Sequence, residues 1–171
     1  MAYSEDRAWS DLFIPQIQQI VGPRLLVPAP MEVDRKEATD LIVFKAEGMR
    51  IAARVRRSGW RDQHAREFTI RSRVPSGADT ELQKIISGWG DWMFYGFAAS
   101  EDPPQILPWI IIDLKSFRRH YVEQGRSGLK CQTKTTQENK EFLVFNVDDF
   151  PAAPPLLIAS SPSLAPTGVA S

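Results

Sequence analysis

A chain of 171 residues, 43% hydrophobic and 25% charged, can bury one sizeable core and has the composition of an ordinary globular domain. Lysine plus arginine (21) equals aspartate plus glutamate (21), so no net field draws the whole molecule to nucleic acid or an anionic membrane, and any such attraction must be local. The single cysteine, Cys131, excludes an internal disulfide and a cysteine metal cluster; no segment reads as a membrane span or signal peptide, and a cytoplasmic protein is expected.

The first predicted element is a helix from Glu5 to Val21, with Ser4 as its cap, acids in its first turn, and Trp9, Leu12, Phe13, Ile17 and Ile20 at helical spacing. Pro15 inside that pattern marks a kink or a later start. Gly22-Pro23 stops the helix, and Pro28 and Pro30 favour an extended connection to Asp34. Thr39-Asp40 then opens a strand, Leu41 to Phe44, whose unbroken apolar run predicts burial on both faces.

After the Glu47-Gly48 turn, Met49, Ile51, Ala53 and Val55 alternate with Arg50, Ala52, Arg54 and Arg56, giving a strand with one apolar and one cationic face. A polar loop holding Trp60 and His64 leads to Glu67–Arg73, where Phe68 and Ile70 point inward and Glu67, Thr69, Arg71 and Arg73 outward. If the two strands pair, their charged faces pool into the best candidate site of the chain.

Ser76-Gly-Ala-Asp79 has capping-type spacing before a helix carrying Leu82, Ile85, Ile86 and Trp89, with Glu81 and Lys84 on its exposed side and Gly88 and Gly90 at its end. Trp92 to Ala98 reads as a buried strand, Asp102-Pro-Pro as a loop, and Trp109 to Ile112 as a further strand. Asp113 caps a helix with Phe117 and Tyr121, and a hairpin from about Leu129 to Val147 turns near Glu138-Asn139. Residues 1–150 are thus expected to form one mixed α/β domain on a single sheet, and 151–171, rich in Ala, Pro and Ser, a disordered tail with Leu156, Leu157 and Ile158 docked.

This helix-strand-strand-strand-helix-strand order, with its C-terminal hairpin, resembles the PD-(D/E)XK nuclease superfamily, the restriction-endonuclease-like fold, over about Glu5 to Val122. The chain also has the look of a phage or prophage protein. In that superfamily an acid at the start of one core strand and an acid-x-lysine triplet on the next hold a divalent metal that activates water against a phosphodiester. Asp40 matches the first position, whereas the triplet falls on Arg54-Val55-Arg56 and departs from the pattern at the metal ligand. The resemblance implies a Mg- or Mn-dependent deoxyribonuclease, its metal held by Asp40 and a migrated Glu67, with Arg56 on the scissile phosphate and Arg54, Arg71, Arg73 and Lys84 along the DNA backbone.

Blander readings stand beside each of these assignments. Glu67 on a charged strand face pairs readily with Arg54, Arg56 or Arg71. Asp40 suits an Asx-turn, and a solvated strand face accounts for the arginines. Ser87-Gly-Trp-Gly-Asp91-Trp serves either as a helix end or as a turn that stacks a base. His64 and His120, far apart and without a zinc pattern, read as surface residues. The alternative function is a non-catalytic interaction protein on a degenerate nuclease fold, acting on a host or phage protein. DNA or a protein is therefore the expected partner, no membrane is implied, and a homodimer is admitted.

Overall fold

Prolines and glycines set the limits of the first elements. The computed structural model describes residues 2–28, 41–43 and 48–164, and the chain divides into two units, Met1–Met49 and Arg50–Ser171. In the first, the single predicted helix is two, α1 (Ala2–Asp11) and α2 (Ile14–Val21). Pro15 sits in the first turn of α2, where its missing N–H would have no intrahelical partner anyway. Trp9 meets Phe13 edge-on at 5.0 Å. A short antiparallel ladder follows between β1 (Leu26–Pro28) and β2 (Leu41–Val43). Asp40, Thr39, Asp34 and Phe44 lie outside the described residues.

The second unit runs β3 (Ile51–Arg56), α3 (Arg61–His64), β4 (Glu67–Arg73), α4 (Glu81–Ile86), β5 (Trp92–Glu101), β6 (Pro104–Asp113), α5 (Leu114–Gly128), β7 (Cys131–Thr135), β8 (Glu141–Asn146) and β9 (Leu157–Ser160). These strands form two sheets, β3-β5-β6-β9, which is mixed because β3 runs parallel to β5, and an antiparallel β4-β8-β7. The class is mixed α/β, and no described helix is long and apolar enough to cross a membrane.

The expected single sheet is therefore corrected. The three consecutive strands near residues 41, 51 and 67 fall in three separate sheets, so β3 and β4 do not pair. Alternation tells which residues share a face, but partner choice depends on long-range packing, and β4 takes β8 as its partner from about seventy positions away. The predicted cap also moves: Thr80 closes the N-terminus of α4 in a reciprocal capping box with Gln83, in place of the Ser76–Asp79 spacing. Arg118 of α5 donates to the Ile85 and Gly90 carbonyls at the other end of α4.

One aromatic core fixes the sheets against α5. Phe117 of α5 meets Phe68 of β4 and Phe145 of β8 at 6.0 and 5.3 Å, and Phe150 completes the cluster. Register places Ala52, Arg54 and Arg56 beside Met93, Tyr95 and Phe97, on one face of the mixed sheet. The cationic face of β3 is thus the one shared with core-facing residues, and Thr69 of β4 meets Tyr95 from the other sheet, hydroxyl to hydroxyl at 3.2 Å.

The described residues past 150, up to Leu164, are built into the fold. Strand β9 pairs with β6, Leu156 is buried, and Ser161 exchanges hydrogen bonds with the Trp109 backbone. Composition pointed to a disordered tail, yet an apolar Leu-Leu-Ile run beside an open edge strand gains a full ladder by docking. His120, expected at the surface, is 2% exposed, and its Nε2 donates to the Pro154 carbonyl at 2.8 Å.

Candidate functional site

Among the clefts of the second unit, two adjoin a hydrogen-bonded partition. Arg54 of β3 builds that partition: Nη1 donates to the Thr69 carbonyl at 3.0 Å and lies 3.2 Å from its hydroxyl, while Nη2 donates to Glu81 Oε2 at 2.7 Å. The same Glu81 oxygen accepts the backbone N–H of Arg71. Four connections therefore tie β3, β4 and α4 through one guanidinium and one carboxylate, only 21% and 25% exposed.

On one side lies a wide groove of about 690 Å³, lined by Arg50, Arg54, Arg71, Glu81, Lys84 and Trp89 among others. Trp89 follows α4, where the positive-φ glycines Gly88 and Gly90 turn the chain and leave its ring 61% exposed. A Cβ on Gly90 would come within 2.9 Å of Leu114, so the turn is held close against α5. Arg50 covers the Trp89 ring at 5.0 Å, and its backbone N–H donates to Asp91 at 2.8 Å.

On the other side lies a smaller cleft of about 320 Å³. Arg56, Tyr95 and Phe97 of the mixed sheet form one wall, and Thr69, Phe142 and Val144 of the antiparallel sheet form the other. His64 and Glu67 stand at its edge, three residues apart, with Nδ1 and Oε2 at 2.7 Å. Lys134 enters from β7, directly opposite Phe142 in the ladder.

Charge pairing differs from one cation of the unit to the next. Among the described residues, Arg50, Arg54, Arg66, Arg73, Arg119, Lys130 and Lys140 each have a carboxylate within 4.0 Å. Arg71 and Lys84 in the groove, and Arg56 and Lys134 in the smaller cleft, have no such partner among the described residues. The Arg71 guanidinium rests on the Phe142 ring at 5.4 Å, and its buried Nε lacks a hydrogen-bond partner.

The residues expected at one site are thus distributed. Arg54, Arg71 and Lys84 line the groove, and Arg56 and Glu67 the smaller cleft. Arg73 lines neither and pairs with Glu141 at 2.8 Å. Asp40 is outside the described residues. A Mg or Mn ion needs several oxygen ligands, and no group of three His, Cys, Asp or Glu side chains gathers among the described residues, while Glu67 is engaged by His64. The described donors do not make such a site.

Lys134 and His64 escaped the sequence reading. The first was accessible to it, because a turn at Glu138-Asn139 already sets Lys134 opposite Phe142. The second was not, because its spacing to Glu67 crosses a helical turn into a strand. No protein family matches the chain, and no curated protein and no solved structure is similar to it.

Proposed function

We propose that this protein binds single-stranded DNA in the wide groove, with Lys84 and Arg71 on phosphates and Trp89 as a stacking platform for a base. The observation that carries the reading is the pairing of cations lacking a carboxylate partner with a largely exposed tryptophan in one open groove. Surface cations are often neutralised by neighbours, as Arg50, Arg66 and Arg73 of this unit are. Cations left without acids in a concave surface suit a polyanion, and an accessible indole face suits an unpaired base, which duplex DNA would keep stacked inside the helix.

Arg54 takes a structural part in this reading, since both of its terminal nitrogens are spent on Thr69 and Glu81. The resemblance to restriction-endonuclease-like proteins points to the same ligand class, DNA. Its cleaving arm rests on Asp40 and Glu67 with Mg or Mn, and it makes a separate expectation.

Fluorescence anisotropy with labelled single-stranded and duplex oligonucleotides at low salt tests the proposal. Single strands should bind more tightly, and Trp89→Ala should weaken them by about 1–3 kcal/mol, the usual worth of one base stacked on an aromatic ring. Undetectable binding of both forms would overturn it. Strand cleavage in magnesium or manganese that disappears in Asp40→Asn would favour the metal-nuclease reading instead.

A further inference from the structure

The smaller cleft has features that a groove tracking a DNA strand does not require. It holds less than half the groove's volume, about 320 against 690 Å³, and it is set between two sheet faces instead of along an open edge. That size falls at the lower end of small-molecule sites, about 300–1,000 Å³. Its two walls differ in chemistry from its entrance, and each difference constrains a ligand.

The walls are aromatic and apolar. Phe97 is 2% exposed, Tyr95 is 3% exposed, and Phe142 and Val144 face them from the other sheet. The Tyr95 and Thr69 hydroxyls satisfy one another, so this part of the wall offers little unmet polarity. Phe142 is the one of these four that is not buried, and a planar ring laid against it would displace water from apolar surface.

The entrance is cationic. Arg56 on β3 and Lys134 on β7 approach from opposite walls, and neither has a carboxylate partner among the described residues. The carboxylate at hand, Glu67, is held by His64. Two cations lining one cleft without an acid between them suit an anion, and a guanidinium with an ammonium suits a doubly charged phosphate monoester. Thr135 and Thr136 add hydroxyls beside Lys134, where a sugar would lie.

We propose that this cleft binds a nucleoside monophosphate, its base against the apolar lining at Phe142 and its phosphate held by Arg56 and Lys134. The site is distinct from the groove and does not depend on the DNA reading. The Arg54–Thr69–Tyr95 partition divides the two.

Calorimetric titration of the full chain with AMP, GMP, CMP and UMP, beside adenosine and inorganic phosphate, is the test. At least one monophosphate should bind saturably, and more tightly than adenosine or phosphate alone. Lys134→Ala changes an exposed residue and leaves the core intact; it should weaken that binding by about tenfold or more, as should Arg56→Ala, corresponding to about 1.4 kcal/mol or more. Lys84→Ala, in the groove, should leave it unchanged. No saturable binding tighter than about 1 mM would overturn the proposal. So would phosphate binding as well as the nucleotide, retention of affinity in Lys134→Ala, or its loss in Lys84→Ala.

Discussion

Arg54 is the residue where sequence and structure diverge most usefully. On an alternating strand it reads as a solvent-facing cation, yet it crosses to the other sheet and hydrogen-bonds Thr69 and Glu81. Removing it leaves the Thr69 carbonyl and a partly buried Glu81 without their main donor, so Arg54→Ala should cost about 1–3 kcal/mol of stability. Chemical denaturation compared with Lys84→Ala, which should be near neutral, checks this. A second residue-scale prediction concerns Gly96, where an added Cβ would lie 2.5 Å from Ile106 and 3.2 Å from Trp109. Overpacking in so tight a place costs about 1–3 kcal/mol, and Gly96→Ala should lower the melting temperature by about 2–4 °C for each kcal/mol. Neither role was legible, because both depend on which strand lies alongside, and that is set by packing.

Local elements were the more readable part of the chain. The β7–β8 hairpin forms where the pattern placed it, with Asn139 supplying the positive-φ turn residue, and Asp113 caps α5 as its position before the helix predicts. What eluded the sequence was the assembly of elements: β3 was expected beside β4 and pairs with β5 instead, and the run Leu156-Leu157-Ile158, expected only to dock, enters strand β9 beside β6. Clamps between elements were equally hidden. Arg66, just before β4, donates through Nε and Nη2 to Asp148 after β8 and through Nη1 to the Leu164 carbonyl. Those hydrogen bonds hold the Asp148 carboxyl below its ordinary value, helped by Coulombic attraction and opposed by partial burial. A depressed carboxylate contributes stability above its unfolded pKa, about 3.9, and loses it as pH falls through the lower folded value. Asp148→Asn should therefore be less stable than the parent at neutral pH, with the gap in melting temperature closing below about pH 4. The exposure of the pair keeps the expected gap small.

For the whole molecule, a net charge of zero excludes a global field toward nucleic acid and leaves any such attraction to a local patch. The structure places it locally: acids lie within 4.0 Å of Arg50, Arg66, Arg73 and Arg119 among others, while Arg56, Arg71, Lys84 and Lys134 stand in the two clefts with no carboxylate partner among the described residues. Overall balance and local surplus coexist, and sequence counting sees only the first. The central claim is that the wide groove binds a single strand through its phosphates. The direct measurement is the affinity for a labelled single-stranded oligonucleotide across a salt series, for the parent and for Lys84→Ala. Each phosphate contact with a single strand contributes about −0.7 to the slope of log affinity against log salt, so the variant should show a slope shallower by about that amount. An affinity that ignores salt, or a slope that Lys84→Ala leaves unchanged, would contradict the account.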